Sequence, residues 1–410
     1  MFNTINEVYN YLYNQRKLNK RENLDRIKYA KEALGIKINY KIIHVAGTNG
    51  KGSTSAMIKS ILKLRNLHVG LFVSPYVISF NERIQINDRY ISDAEIMHYS
   101  NILYDFNEKY KKEHNDVIPF FELTLLMALM YFEDRKIDIA IIECGLGGLL
   151  DSTNFLDTNL AIITNVGFDH MLQLGNTLEE ICTHKMGIIK DNMTALTAMD
   201  KSLMPMVEEY AKNKNSKVYN ILDDVSDIRV KDYTYFKYKN MEYRTNLLGE
   251  YQAYNASLAI EAVNQLVDID SGLIRYGLEN VFWPGRFEIV SRNPLVIIDG
   301  AHNIHAVNAL VNTIKNNYDY KFNIVFSSLI DKDYKGMIKL LDNISNKYIF
   351  TSINDLRKTD ADVFKDCTNI DSIVIDDYKE ALDKVLNGNE PTLITGSLHF
   401  ISFVREYIKK

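Results

Sequence analysis

The sequence predicts an α/β fold built around a mostly parallel sheet, and three observations support this prediction. Short apolar, β-rich runs alternate with helical patterns along most of the chain, as expected for βαβ units. The first run leads into a glycine-rich turn and then a helix, the order found around bound phosphate groups. A second series of such units starts near Pro294, which indicates a second, smaller α/β domain.

The first series of units supplies the larger predicted domain. Its apolar runs predict buried strands at Ile42–Ala46, Val69–Val73, Ile137–Ile142 and Leu160–Thr164. Its apolar periodicity predicts helices at Ser53–Asn66, Asp93–Lys111, Phe121–Arg135 and Thr177–Ile189. Because helical patterns separate these strands, we expect neighbouring strands to run parallel.

The pattern changes between residues 227 and 246. Aromatic and polar residues alternate around a Lys239-Asn240 turn, which predicts an antiparallel hairpin appended to the main sheet. A helix at Tyr251–Leu266 follows, and a second short helix extends through Asn280.

The second series of units predicts the smaller domain. Strands are expected at Leu295–Ile298, Asn323–Ser327, Tyr348–Thr351, Ser372–Ile375 and Thr392–Thr395. Pro284 and Pro294 flank the zone where we place the junction, because proline interrupts regular structure. We therefore predict a P-loop NTPase-like domain over residues 1–292 and a Rossmann-like domain over residues 293–410.

Composition limits where this protein acts and what it binds. At 410 residues, with 46% hydrophobic and 25% charged residues, the chain has enough apolar residues for two cores without disulfides. A net charge of −5 is too mild for a nucleic-acid-binding surface. The chain has no apolar run of membrane-spanning length, no secretory signal and no CxxC pair. We therefore expect a cytoplasmic protein, monomeric by default, that binds neither nucleic acid nor membrane.

The strongest local signal is the turn after the first strand, Gly47-Thr48-Asn49-Gly50-Lys51-Gly52-Ser53-Thr54. Its glycines let backbone N–H groups approach phosphate oxygens, and the following helix adds the positive end of its dipole. Lys51 can bridge the β- and γ-phosphates, while the Ser53 or Thr54 hydroxyl can bind Mg²⁺. The glycine spacing departs from G-x-x-x-x-G-K-[ST]. The alternative is a glycine-rich turn with an incidental lysine, but strand, loop and helix stand in the required order.

Glu143 is a second candidate, at the end of an apolar strand. A carboxylate near a phosphate loop suits a Mg²⁺ ligand, although a solvated glutamate at a strand end is the alternative. The Gly145-Leu146-Gly147-Gly148 turn that follows is a weak dinucleotide motif, because Leu150 stands where that motif needs glycine.

With the phosphate loop, further segments resemble the folylpolyglutamate synthase and dihydrofolate synthase family of the wider Mur ligase group. The matching segments run in order from about residue 42 to 398: Ser74-Pro75-Tyr76, Phe80-Asn81-Glu82-Arg83-Ile84, Phe121-Glu122-Leu123-Thr124, Glu143 to Gly148, Asp151-Ser152-Thr153-Asn154, Asp169-His170, Lys185-Met186-Gly187-Ile188, Gln252, Asn255-Ala256, Trp283 to Glu288, Asp299 to Asn303 and Gly396-Ser397-Leu398. The sequence departs from the family pattern at Tyr76 and Tyr251, where histidine is common, and at Leu149 and Leu150, which replace an arginine-containing step.

The resemblance implies an ATP-dependent amide ligase. ATP would phosphorylate a carboxylate, and the amine of L-glutamate would displace phosphate from the resulting acyl phosphate. The acceptor would be a reduced folate, or dihydropteroate if the chain is a dihydrofolate synthase. The resemblance does not separate these two activities.

The resemblance also implies the metal and catalytic residues. Ser53 would hold a first Mg²⁺, and Ser74, Glu143 and His170 would hold a second. Lys51, His170 and Lys185 would act in catalysis, with Lys185 carbamylated by carbon dioxide so that its cation becomes an anion. Considered alone, His170 is an ordinary structural or surface histidine and Lys185 a plain surface lysine.

Further ATP contacts are implied for Gln252, Asn255, Arg286, Asp299 and His302. Gln252 and Asn255 share one helix face at i and i+3, although solvated helix residues are the alternative. A metal pair of His302 and His305 would lack a third ligand. Phe120, Phe121 and Tyr76 could stack on a pteridine ring, but core packing is the more ordinary use of adjacent phenylalanines.

Three other functions remain as alternatives. A cell-wall Mur ligase would need a UDP-binding N-terminal domain, but only 41 residues precede the first predicted strand. A nucleotide-gated binding protein without ligase activity would leave the Asp299–Asn303 motif without a role. A small-molecule kinase would release a stable phosphorylated product.

Overall fold

The computed structural model describes residues 1–15, 23–354 and 357–408, which form two compact units. The first unit comprises Met1–Leu222 and Ser257–Gly277, and the second comprises Asp223–Ala256 and Leu278–Lys410. The second unit thus includes the hairpin segment that the predicted boundary at residue 292 assigns to the first domain. The boundary itself stays a prediction.

The first unit contains an eight-stranded sheet with helices packed on it. Its elements are α1 Ile5–Asn14, α2 Asp25–Ala33, β1 Lys41–Ala46, α3 Lys51–Leu62, β2 Val69–Phe72, β3 Ile84–Ile86, β4 Arg89–Tyr90, α4 Asp93–His114, α5 Phe120–Asp134, β5 Ile139–Glu143, β6 Leu160–Ile163, α6 Met171–Leu174, α7 Leu178–Met186, β7 Thr194–Thr197, α8 Met204–Lys212 and β8 Lys217–Asn220. The four predicted strands and four predicted helices are all present, with ends shifted by a few residues.

The strand order of this sheet is β4-β3-β2-β5-β1-β6-β7-β8. The six adjacent strands β2, β5, β1, β6, β7 and β8 run parallel, and β3 and β4 form an antiparallel edge beside β2. Strand β1 lies centrally, between β5 and β6, and its residues after Lys41 are buried. This burial explains why its sequence is an apolar run rather than an alternating one.

Apolar clusters on its sheet contribute to the core of the first unit. One includes Phe72 and Ile142 of the sheet with Leu126 of α5, and another includes Ile163 with Cys182 of α7. Helix α7 begins after Thr177, whose hydroxyl accepts a hydrogen bond from the backbone N–H of Glu180. The predicted start of this helix is therefore confirmed, with the capping box as its cause.

The second unit contains two sheets. The remaining elements are β9 Val225–Val230, β10 Thr234–Tyr238, β11 Met241–Thr245, α9 Glu250–Leu266, α10 Ser271–Glu279, β12 Glu288–Arg292, β13 Leu295–Ile298, α11 Ile304–Asn317, β14 Phe322–Phe326, α12 Tyr334–Leu341, β15 Ser345–Ser352, α13 Asp362–Lys365, β16 Ser372–Asp377, α14 Tyr378–Leu386, β17 Thr392–Thr395 and α15 Leu398–Ile408. Most of α9 and α10 lies in the first unit, which includes residues 257–277. The larger sheet has the order β12-β13-β17-β14-β15-β16 and is parallel apart from β12.

The predicted hairpin is present, but it is not appended to the main sheet. Strands β10 and β11 pair around Lys239 and Asn240, which both have left-handed backbone angles (φ 48° and 63°). Two such residues in a two-residue turn suit the twist of a hairpin. Strand β9 joins β10 to give a separate three-stranded sheet. Within the described residues, no helix combines the length and the hydropathy needed to cross a bilayer.

Candidate active site

The predicted site residues of the first unit meet at one edge of its sheet. The phosphate loop follows β1, Ser74 follows β2, Glu143 ends β5, and the segment that leads to His170 follows β6. These four strands are adjacent and parallel in the order β2-β5-β1-β6. Their carboxyl ends therefore lie together, which is where ligands bind in open α/β sheets.

The phosphate loop is fixed by the segment after β6. The backbone N–H groups of Thr48 and Asn49 donate to the backbone and side-chain oxygens of Asn165, at 3.1 and 2.9 Å. Gly47 has φ 151°, and a Cβ there would lie 1.8 Å from the Thr164 hydroxyl. The loop conformation thus requires glycine at its first position. The N–H groups of Thr48 and Asn49 are used in hydrogen bonds to Asn165 and are therefore not available to a phosphate.

The start of α3 leaves its first N–H groups without a side-chain cap. Gly50 is the N-cap residue, with φ 85°, so the helix end can accept an anion. The Lys51 ammonium lies over the loop and donates to the carbonyls of Gly47 and Thr48 at 3.0 and 3.3 Å. The Thr54 hydroxyl is buried and has no hydrogen-bond partner among the described residues.

Glu143 is buried, with 4% of its surface exposed, and it pairs in register with Val45 of β1. It is therefore not the solvated strand-end glutamate of the alternative interpretation. The Gly145–Gly148 turn that follows packs closely on α7, since a Cβ on Gly148 would lie 2.7 Å from the carbonyl oxygen of His184. The turn thus joins Glu143 to the helix that carries Lys185.

Lys185 is almost completely buried, with 2% of its surface exposed. The interpretation as a plain surface lysine is therefore wrong. Burial first, and then the nearby Lys51 ammonium, lower the pKa of the Lys185 amine to about 7. A large fraction of this amine is consequently neutral and nucleophilic near neutral pH.

His170 and Ser74 are less enclosed. His170 precedes the short helix α6 with a left-handed backbone (φ 50°), and its side chain is 43% exposed. The Asp169 carboxylate accepts a 2.9 Å hydrogen bond from the His170 backbone N–H. Ser74 lies in the loop after β2 and is half-buried.

The donor set of this edge fits Mg²⁺ bound with a nucleotide. The described residues contain no group of three or more His, Cys, Asp or Glu side chains arranged as a metal cage. Mg²⁺ needs few protein ligands when it binds phosphate, because it keeps several waters and takes phosphate oxygens. Glu143 supplies a buried carboxylate, and Thr54 supplies a buried hydroxyl that has no protein partner.

Of the predicted ATP residues of the second unit, Gln252, Asn255 and Asp299 are buried, whereas Arg286 and His302 are partly exposed. Gln252 and Asn255 are 0% and 4% exposed, and the Asn255 amide donates to the Gln252 side-chain oxygen at 2.9 Å. The predicted shared face is confirmed, and the solvated-residue alternative is wrong. The Gln252 side-chain nitrogen has no hydrogen-bond partner among the described residues, so a ligand acceptor would remove a desolvation cost.

Asp299 organises the turn that carries Arg286. Its carboxylate accepts hydrogen bonds from the backbone N–H groups of Phe287 and Ala301, at 2.7 and 2.8 Å. Burial raises the pKa of Asp299, while Arg286 opposes this rise. His302 donates from Nδ1 to the Gly300 carbonyl at 2.9 Å. Asp299 thus ties the backbone just after Arg286 to the turn that follows β13.

Two features of the first unit were missed by sequence reasoning. Arg26 forms a bidentate pair with Glu122, with two N–O distances of 2.8 Å, and Ser152 donates to the same carboxylate at 3.2 Å. The guanidinium of Arg83 lies 5.1 and 5.2 Å from the ring centroids of Tyr76 and Phe120. Arg26 and Glu122 are 96 residues apart, so no local pattern signals their contact.

Comparisons with known proteins agree with this geometry. The model of the Mur ligase middle domain matches residues 45–263, and that of the Mur ligase glutamate ligase domain matches residues 285–398. The chain is 36% identical over 430 aligned positions to a dihydrofolate synthase/folylpolyglutamate synthase of Bacillus subtilis (strain 168), covering 100% of both chains.

Two solved structures are also similar. The E. coli FolC in complex with DHPP and ADP has a TM-score of 0.88 and 26% identity, covering 99% of this chain and 98% of that one. A bifunctional folylpolyglutamate synthase/dihydrofolate synthase with Mn, AMPPNP and L-glutamate bound has a TM-score of 0.84 and 26% identity, with the same coverage. With its phosphate loop, its buried Glu143 and both Mur ligase domains, this chain belongs to the dihydrofolate synthase/folylpolyglutamate synthase family of ATP-dependent amide ligases.

Proposed function

We propose that this chain ligates L-glutamate to the carboxylate of a reduced folate, with hydrolysis of ATP to ADP and phosphate. The observation that carries the proposal is the phosphate loop at the carboxyl edge of the first sheet, beside the buried carboxylate of Glu143. Dihydrofolate synthesis from dihydropteroate is the second candidate, since the relative that matches over 100% of both chains is named for both activities.

The proposed reaction has two steps, phosphate transfer to the folate carboxylate and amide formation. The folate carboxylate attacks the γ-phosphorus of ATP, the bond to the β-phosphate oxygen breaks, and ADP leaves. The free amine of glutamate then attacks the acyl carbon, phosphate leaves, and the nitrogen loses a proton as the amide forms. Lys51 and the N–H groups at the start of α3 would neutralise the transferring phosphate.

Two Mg²⁺ ions are part of the proposal. Ser53 would bind the first, and Ser74, Glu143 and His170 would bind the second. The ions supply positive charge that neutralises the phosphates during transfer. The Thr54 hydroxyl, which has no partner among the described residues, would offer the first ion a further oxygen ligand.

We also propose that Lys185 is carbamylated. The neutral amine attacks carbon dioxide, a nitrogen–carbon bond forms, and one proton is released. The burial of Lys185 and its pKa of about 7 support this reaction, because a protonated amine cannot attack. The product is an anion, which removes the repulsion that an ammonium group would exert on the nearby Lys51 and on Mg²⁺.

Further nucleotide contacts are proposed for residues that follow the hairpin in the sequence. Gln252 and Asn255 are proposed to contact the adenine through their buried amides, and Arg286 to contact phosphate, as its planar fork suits such oxygens. Asp299 and His302 would act on the nucleotide as well, with Asp299 holding the Arg286 turn. A cytoplasmic monomer that binds neither nucleic acid nor membrane completes the proposal.

An ADP-release assay tests this function. Purified protein is supplied with Mg²⁺, ATP, L-glutamate and either a reduced folate or dihydropteroate, and the product is identified by mass. We expect ADP release that needs glutamate and one pterin substrate, together with a new amide. Release without glutamate, or a stable phosphorylated product, would contradict the ligase mechanism.

A pair of lysine variants sharpens this assay. Lys51→Ala should lower turnover about 100-fold or more, because it removes the cation nearest the transferring phosphate. Lys63→Ala is the matched control at the other end of α3, where Lys63 forms an ion pair with the exposed Asp88. This variant should retain turnover. Equal losses in both variants would count against a role of Lys51 in phosphate binding.

A further inference from the structure

A chain of buried polar groups connects β1 to the segment after Glu143. His44 Nε2 lies 2.7 Å from the Thr153 hydroxyl and 3.1 Å from Cys144 Sγ. The Thr153 hydroxyl lies 2.6 Å from Asp151 Oδ1. All four residues are at most 2% exposed. Buried polar groups in such a network stabilise it only when each donor meets an acceptor.

The partners fix the direction of the two hydrogen bonds that join Thr153 to Asp151 and to His44. Asp151 also accepts backbone N–H groups, so its carboxylate is an acceptor and the Thr153 hydroxyl donates to it. Thr153 must then accept from His44, which places the imidazole proton on Nε2. His44 Nδ1 has no hydrogen-bond partner among the described residues. A bare ring nitrogen costs less to leave buried than an unpaired N–H, and burial lowers the pKa of His44 to about 3, so the ring stays neutral.

The far end of this network holds the turn after Glu143. Asp151 Oδ2 accepts the Leu146 backbone N–H at 2.7 Å, and the Asp151 N–H donates to the Gly148 carbonyl at 3.0 Å. The same turn packs on the end of α7, next to Lys185. The position of the turn therefore depends on the orientation of one carboxylate, which Thr153 and His44 set.

We infer that His44 is a positioning residue for the reaction, which acts through Thr153 and Asp151 to hold the Leu146 turn and thereby Glu143. His44 lies in β1, three residues before the phosphate loop. It therefore links the strand that leads into this loop to the segment that follows Glu143. The inference rests on the proposed function only where it assigns Mg²⁺ to Glu143.

Hydrogen exchange of the Leu146 amide tests the network directly in the nucleotide-free chain. His44→Gln places an amide N–H at the position of Nε2, whereas His44→Asn places it at the position of Nδ1. We expect wild-type exchange in His44→Gln and exchange about tenfold faster in His44→Asn, because the second variant loses the bond to Thr153. Unchanged exchange in His44→Asn, or equal acceleration in both variants, would overturn the inference.

Thr153 variants test the same network if a His44 variant fails to fold. Thr153→Ser keeps the hydroxyl and should behave as wild type, while Thr153→Val removes it and should speed Leu146 exchange as much as His44→Asn does. In the double variant His44→Asn/Thr153→Val, the Leu146 amide should exchange no faster than in the faster single variant. Both substitutions interrupt the same series of hydrogen bonds, so their effects should not add. Additive acceleration would mean that the two residues act separately.

Metal binding separates this inference from the ligase proposal. With AMPPNP present, Mn²⁺ should bind His44→Asn about tenfold more weakly than His44→Gln, as judged by the water-proton relaxation of Mn²⁺. A chain that binds Mn²⁺ normally but makes no amide would contradict the proposed function alone. Fast Leu146 exchange with unchanged Mn²⁺ affinity would contradict the link from the turn to Glu143.

Discussion

At the scale of single residues, the buried hydroxyl of Thr54 has no structural task in the described chain. Thr54→Val removes the hydroxyl without changing the shape of the side chain. We expect the free energy of unfolding of the nucleotide-free protein to stay within about 1 kcal/mol of wild type, because no hydrogen bond is lost. Affinity for Mg-ATP should fall about threefold to tenfold, as measured by calorimetric titration.

Ser55 provides the matched control for this substitution. Its hydroxyl is also buried and without a partner among the described residues, but no nucleotide role is assigned to it. Ser55→Ala should leave both unfolding and Mg-ATP affinity near wild type. If both variants weaken ATP binding equally, the effect belongs to packing of α3 and not to the Thr54 hydroxyl.

Lys185 gives a pH dependence whose sign can be worked out. Its pKa is about 7 in the folded chain and about 10.4 when exposed, so between these values the unfolded chain binds the extra proton. Stability contributed by this residue therefore rises with pH from about 7 to 10, by roughly 1 kcal/mol per pH unit. Relative to Lys185→Met, the wild type should gain urea resistance across this range in carbon dioxide-free buffer. A pH-independent difference between the two would contradict the lowered pKa.

At the scale of elements, the conformation of the phosphate loop depends on the absence of a side chain at Gly47. A Cβ at this residue would overlap the Thr164 hydroxyl, and Thr164 also donates to the Asn49 carbonyl at 2.6 Å. Gly47→Ala should therefore displace the loop and abolish measurable ATP binding. The affinity is checked by equilibrium titration with Mg-ATP.

Gly35 is the control for backbone strain without a clash. It has φ 68°, but a Cβ there would meet no atom within 4 Å. Gly35→Ala should cost about 1 kcal/mol of stability and leave ATP affinity unchanged. Loss of ATP binding in both variants would indicate a general effect of destabilisation.

The elements that the sequence predicts best are those with a strong apolar signal. Ile42–Ala46 and Leu160–Thr164 match central strands because such strands are buried on both faces. The edge strands β4 and β8 were not predicted, since Arg89–Tyr90 and Lys217–Asn220 are short and largely polar. Their pairing comes from the neighbouring strand and not from their own composition.

At the scale of the whole molecule, ATP binding should be visible as folding stability. At a Mg-ATP concentration 100 times its dissociation constant, the free energy of unfolding should increase by about 2.7 kcal/mol. Lys51→Ala should lose most of this gain while keeping its nucleotide-free stability, because the hydrogen bonds of the Lys51 ammonium to described residues go to two carbonyls of its own loop. Thermal denaturation with and without Mg-ATP checks both expectations, and equal gains in both proteins would contradict the role of Lys51.

The strand order explains which part of the site could be predicted from the sequence. Once the parallel strands are recognised, the residues after each strand are expected at one edge, which brings Glu143 near the phosphate loop. Side-chain burial is harder to predict, because it depends on distant elements. The residues alone leave a surface position open for Lys185, which the packing of α7 on the Gly145–Gly148 turn excludes. No local pattern around Arg26 indicates its bond to Glu122.

The central position of β1 has a consequence for synthesis on the ribosome. Its partners β5 and β6 start at Ile139 and Leu160, about 100 residues or more after β1 itself. At a translation rate of about 5–20 residues per second, β1 stays unpaired for roughly 5–20 seconds before the segment of β5 is synthesised. Nascent chains stalled before residue 139 should therefore expose it to chaperones and proteases, and release of the β5 segment should end that exposure.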